Sequence, residues 1–120
     1  MIIFYAHPKL YYNTDIEEQD LKALRTLGFK VLNPNNEHNQ INYKHYGMAY
    51  SDFLLEGCNA LAFRSFKDGS IGAGVAYEIE AAQKLGYPII ELPDLSLRVR
   101  LSVEETRAYQ KHYMKQEVEE

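Results

Sequence analysis

Four short apolar runs, each separated from the next by a longer intervening stretch, constrain this chain more than any other feature. They are IIFYA at residues 2–6, FKVLN at 29–33, NALAFR at 59–64 and PIIEL at 88–92. Each is too short for a packed helix, and each is bounded by turn residues such as Pro8, Gly28, Gly57 and Gly86. Short continuous apolar runs with such boundaries read as strands buried on both faces, which is the pattern of a parallel sheet rather than of a half-exposed hairpin.

The stretches between these runs carry helix signals. Thr14 or Asp15 can cap a helix whose apolar residues Ile16, Leu21, Leu24 and Leu27 recur at helical spacing, with Glu17 and Glu18 in the first turn, where the helix dipole favours acid. From about Lys44 to Glu56 the residues Tyr46, Tyr50, Phe53 and Leu54 share one helical face, and Gly57 is placed as a C-terminal cap. VAYEIEAAQKL, residues 75–85, makes a further helix, stopped by Gly86 and Pro88. The segment NPNNEHNQIN at 33–42 is dense in asparagine and carries a proline, so it predicts a mobile loop.

Strands alternating with helices over this length predict an α/β fold: a doubly wound parallel sheet of four or five strands with helices on both faces, flavodoxin-like or Rossmann-like. LRVRL at 97–101 is the candidate fifth strand. Ser102 and Glu105 form a capping box that opens a polar helix over about 102–119, whose weak apolar face predicts that it leaves the body, toward another subunit. With 120 residues and no repeat or linker, residues 1–120 are expected to form one domain.

Composition narrows the partners. A content of 46% hydrophobic and 25% charged residues is that of an ordinary globular protein. A net charge of −4, with lysines and arginines dispersed, supplies no basic stripe for duplex nucleic acid. The one cysteine, Cys58, lies within LLEGCNALAF and reads as a buried reduced thiol in a cytoplasmic protein. No basic segment precedes a long apolar stretch, and no run is long enough to cross a bilayer, so neither export nor membrane insertion is expected. The four histidines show no paired ligand spacing, so neither a metal nor another cofactor is expected. Ten tyrosines and no tryptophan leave two readings: partly buried rings with wet hydroxyls, or a lining for a planar ligand or subunit contact.

In an open parallel sheet ligands bind at the carboxyl ends of the strands, which directs attention to the loops HPKLYYN (7–13) and FKDGSIGAG (66–74). The second loop places Gly69, Gly72 and Gly74 just before a helix, where bare backbone N–H groups and the positive end of the dipole suit an anionic or polyhydroxylated ligand. It matches neither the dinucleotide fingerprint nor a P-loop, so a structural turn is the competing account. Two acids follow. Glu80 stands four residues before Lys84, the order of a surface ion pair, whereas Glu78 is flanked at helical spacing by Gly74 and Ala82, which leaves room over its carboxylate. Such a carboxylate near a low-dielectric cleft can attack a sugar carbon; otherwise it is a solvated helix acid. Asp52 is the second candidate. On its helix it points toward Met48 and Leu55, either as plain surface or as the border of a pocket.

GVAYEIEAAQKLGYPII, from Gly74 to Ile90, resembles the signature of the nucleoside 2-deoxyribosyltransferase family and of its relative, the 2′-deoxynucleoside 5′-phosphate N-hydrolase. The upstream DFLLEGCNALAF is similar to that family's acid-headed helix running into an apolar strand. The resemblance implies that Glu78 is the nucleophile and that Asp52 assists protonation of the departing base. It also implies a substrate-binding role for the first strand and the loop after it, through Phe4, Tyr5 and His7. Phe4 stands where the family has a tyrosine that positions the nucleophile, and Tyr5 is expected on the opposite face of the sheet. His7 and Gly72 depart from the family's usual glycine and its serine or aspartate. Gly72, Gly74 and Ser70, the last from a slightly longer loop, are the residues implied to hold the sugar's 5′ end. Homo-oligomerisation is implied as well. The resemblance covers residues 1–92 and leaves the tail unmatched.

Two functions follow as expectations. One is an enzyme that cleaves or exchanges the N-glycosidic bond of a 2′-deoxynucleoside or its monophosphate. The other, favoured by Phe4 in place of tyrosine, is a nucleotide-binding protein that kept the cleft and lost turnover, acting as a sensor or sequestering protein.

Overall fold

The computed structural model describes residues 1–98 and 102–119. The elements are β1 (Ile2–Ala6), α1 (Asp15–Thr26), β2 (Lys30–Leu32), α2 (Glu37–Tyr46), α3 (Ala49–Glu56), β3 (Ala60–Arg64), α4 (Ala73–Lys84), β4 (Ile89–Leu92), β5 (Ser96–Arg98) and α5 (Val103–Glu119), with one 3-10 turn at Lys9–Tyr11. The sheet order is β2-β1-β3-β4-β5. The four expected strands are parallel: Phe4 stands beside Leu32 on one side and Leu61 on the other, and Leu61 stands beside Ile89. The fold is therefore the expected α/β architecture, a four-stranded parallel open sheet flanked by helices.

Period-two alternation divides the strand side chains between two cores. Ile3, Tyr5, Ala60, Ala62, Ile90 and Leu92 pack with Leu24 of α1 on one face. Phe4, Ala6, Leu61, Phe63 and Ile89 pack on the other with Tyr50, Leu54 and Leu55 of α3 and with Val75 and Ala82 of α4. The chain order reverses between β1 and β3, so the carboxyl ends of those two strands open a crevice.

β5 adds an antiparallel edge, with Ile89 opposite Arg98 and Glu91 opposite Ser96. Only Pro93–Leu95 connect it to β4, which is too short for a crossover and long enough for a hairpin. Residues 99–101 of the expected LRVRL run lie outside the described residues.

Two expectations fail between residues 33 and 56. The asparagine-rich segment is largely helix: the Asn36 side chain accepts from the Asn39 N–H at 2.8 Å and so opens α2, an N-cap role for a residue type that also marks loops. The single helix expected from Lys44 to Glu56 is broken at Gly47, whose φ of 62° suits glycine alone. The break changes the buried face. Tyr46 and Phe53 are 67% and 68% exposed, whereas Leu55, expected as an outward neighbour of Asp52, is fully buried. Cys58 is buried, as expected.

At the start of α5 the capping box forms, the Glu105 N–H donating to Ser102 Oγ at 3.1 Å and the Ser102 N–H to Glu105 Oε1 at 3.2 Å. Residues 102–105 are exposed. No helix among the described residues is long and apolar enough to cross a membrane.

Candidate active site

A cavity of about 420 Å³ opens at the carboxyl ends of β1 and β3. His7, Lys9 and Tyr12 follow β1; Gln40 and Tyr43 come from α2; Met48 precedes α3; Phe66 follows β3; Gly72, Gly74, Val75 and Glu78 belong to α4 and its approach. Its position is the one a doubly wound sheet predicts for a ligand.

Glu78 lies on the inner face of α4 with Val75 and Ala82 and is 6% exposed. Ser51 Oγ donates to its Oε2 at 2.7 Å and the Tyr43 hydroxyl to the same atom at 3.2 Å, while the two hydroxyl oxygens are 2.8 Å apart. Among the described residues no hydrogen bond reaches Oε1. Burial pushes the carboxyl up to about 7 from its ordinary 4.5, against the pull of the Ser51 and Tyr43 hydroxyls, which favour the anion. Its negative charge raises Tyr12 and Tyr43 in turn, after burial itself, with Tyr12 pushed up to about 12. Glu80 is exposed, as expected of a surface acid.

His7 is a wall of the cavity rather than an acid or base within it. Its Nδ1 lies 3.1 Å from the Tyr5 carbonyl, which can only accept, so Nδ1 carries a proton. Its Nε2 lies 2.8 Å from Glu17 Oε2, an ion pair when the ring carries a second proton. The Asn35 amide and the Asn13 N–H also donate to Glu17, which holds it as a carboxylate. Burial lowers the His7 pKa and the Glu17 contact opposes that shift. Both nitrogens are engaged, the ring is stacked on Tyr5 at 3.7 Å between centroids, and the side chain is fully buried, so the ring is part of the frame behind the cavity.

Phe4 and Tyr5 do not line the cavity. Phe4 is fully buried in the core on the Glu78 side of the sheet. Tyr5 faces α1, as period-two spacing requires, and donates to Asp20 Oδ2 at 2.5 Å; Asp20 is also held by Arg64 at 2.6 and 3.1 Å. Gly72 and Gly74 do line it. A Cβ at Gly72 would lie 3.3 Å from the Phe66 ring, so that glycine permits a close approach, and α4 begins there without a side-chain cap. Ser70 is turned away: its Oγ and N–H both bind Asp68 Oδ1, at 2.6 and 2.9 Å, in an exposed turn.

Asp52 is not brought to Glu78. It is exposed on the outer side of α3, its Oδ2 accepts from the Tyr77 hydroxyl at 2.7 Å, and it shares a separate hollow with Glu56, Glu80 and Lys84. Its neighbour Ser51, one step round the helix, makes the contact instead. Ser51 and Tyr43 are the site residues that sequence reasoning missed. A serine between Tyr50 and Leu54 at core-facing spacing is the available signal for the first; Tyr43 falls between the expected loop at 33–42 and the helix expected from Lys44, so it has a place among the clustered tyrosines but no helical face until α2 is seen. Among the described residues no group of three His, Cys, Asp or Glu side chains could hold a metal ion.

No family model, curated protein or solved structure matches this chain.

Proposed function

We propose that this protein breaks the N-glycosidic bond of a 2′-deoxynucleoside or its 5′-monophosphate, with Glu78 as the nucleophile and either water or a second base as the acceptor. The observation that carries this reading is a carboxyl 6% exposed at the wall of a cavity of about 420 Å³, with one oxygen bound by hydroxyls and the other, among the described residues, addressed by no donor.

Oε1 forms a bond to C1′ while the C1′–N bond breaks and its electron pair leaves on the base nitrogen, which takes a proton from solvent. Water then attacks C1′, releasing the sugar, a proton and the free carboxylate; attack by another base gives exchange. The aromatic side chains of Tyr12, Tyr43 and Phe66 suit a planar base. Lys9 and the uncapped start of α4 suit the oxygen-rich far end of the sugar. A cytoplasmic homo-oligomer belongs to the same reading, supported by the reduced, buried Cys58 and by the exposed Tyr46 and Phe53.

A second reading, a nucleotide-binding sensor or sequestering protein without turnover, is favoured by one observation: Asp52 is bound to Tyr77 outside the cavity, so it supplies no proton to a base leaving from the same chain. Incubation with a panel of deoxynucleosides and their monophosphates, followed by chromatography for free base, separates the two. The glycosidase reading expects base release that Glu78→Ala abolishes. A thermal shift with no free base selects the sensor, and base release undiminished in Glu78→Ala ends the assignment of Glu78.

A further inference from the structure

We propose that Ser51 and Tyr43 are positioning residues for Glu78: their hydroxyls fasten Oε2, so that Oε1 is the atom turned to the cavity and to the anomeric carbon. The inference rests on the glycosidase reading and adds to it the device that aims the nucleophile.

The three oxygens form a closed triangle with sides of 2.7, 3.2 and 2.8 Å, and each comes from a different helix: Ser51 from α3, Tyr43 from α2 and Glu78 from α4. Contacts from two directions fix where Oε2 sits, and a planar carboxylate with one oxygen fixed has little freedom left for the other. Ser51 is fully buried among Tyr50, Leu54 and Leu55, where an unbonded hydroxyl is costly. Its bond to Glu78 removes that cost.

The first strand cannot do this work. Phe4, on the Glu78 side of the sheet, has no hydroxyl, and the Tyr5 hydroxyl is engaged by Asp20 on the opposite face. Orientation of the carboxylate therefore falls to α2 and α3.

The same two hydroxyls favour the ionised carboxyl and so oppose burial. The other titratable groups around it are Tyr12, His7 and Lys9, which line the same cavity without a hydrogen bond to the carboxylate. Removing either hydroxyl therefore makes Glu78 a weaker acid and leaves it less well aimed. Substrate binding by the other walls is untouched.

The test uses the full chain and its Tyr43→Phe and Ser51→Ala variants, with two readouts. The first is the titration of Glu78 followed through a carbon-13 label on its side-chain carboxyl. The second is the pH profile of base release. Loss of a hydrogen bond to a charged group should raise the Glu78 titration by about one unit in each variant, move the acid limb of the rate profile with it and lower kcat roughly tenfold with KM little changed. A titration unmoved in both variants, or a KM that rises while kcat holds, overturns the proposal. If the wild-type protein releases no base while both variants still shift the titration, the glycosidase reading falls and the fastening of Oε2 stands.

Discussion

Replacing Glu78 by glutamine should stabilise this protein at neutral pH and leave its stability in acid almost unaltered. Burial raises the carboxyl from its ordinary 4.5 to about 7, so between those values the folded protein keeps a proton that the unfolded chain has lost. Stability in this interval falls as pH rises, because the native state binds more protons than the unfolded one. Below about pH 4.5 the group is protonated in both states and imposes no penalty; above about pH 7 the penalty is complete. At about 1.4 kcal/mol per pKa unit, ionising Glu78 in place costs roughly 3 kcal/mol. Glutamine keeps the shape, can still accept from Ser51 and Tyr43 through its carbonyl oxygen, and does not titrate. Urea unfolding of both proteins at intervals from about pH 4 to about pH 8 should show the variant's advantage growing by roughly 3 kcal/mol across the window. A difference that stays constant with pH would refute the claim that Glu78 is held above its ordinary pKa.

Three further outcomes follow from the contacts. Arg64→Ala removes the cation from Asp20, which is 2% exposed, and should cost about 3 kcal/mol in urea unfolding; a loss below about 1 kcal/mol would show that Tyr5 alone suffices for that charge. Asn36→Ala deletes the 2.8 Å cap of α2 and should cost about 1 kcal/mol by the same assay, with no loss expected if the segment were the loop its composition suggests. Asp52→Asn should leave kcat for base release essentially unaltered, because a general acid must stand within hydrogen-bond reach of its proton acceptor and Asp52 is bound to Tyr77 outside the cavity. A large fall in kcat would mean that Asp52 serves a cavity other than that of its own chain.

The parts of this structure governed by local periodicity were legible in the sequence. IIFYA, NALAFR and PIIEL are strands because continuous apolar runs have no other stable home in a parallel sheet, and Gly28 ends α1 with a φ of 94°. The place of Glu78 at the cavity wall was legible too, since Gly74 on one flank lines the same cavity, while Ala82 on the other is packed in the core. Part of what failed turned on one backbone angle. Gly47 can continue a helical pattern or break it, and sequence alone does not say which; reading through it put Tyr46 on the expected inner face, whereas the role expected of Asp52 came from the family resemblance, and it is Ser51 that meets Glu78. Asparagines were misleading for a related reason, because the side-chain chemistry that favours turns also caps helices, as at Asn36. The buried polar pairs on the α1 face, His7 with Glu17 and Asp20 with Arg64, join residues 10 and 44 positions apart, and no local pattern reveals such partners.

The most direct test is to look for the sugar on the carboxyl. Wild-type protein mixed with a deoxynucleoside that it turns over, quenched in acid and digested, should yield the α4 peptide carrying a deoxyribosyl ester on Glu78, detected by mass spectrometry and absent from Glu78→Gln. Free base accumulating while that peptide stays unmodified at every quench time would contradict covalent attack by Glu78.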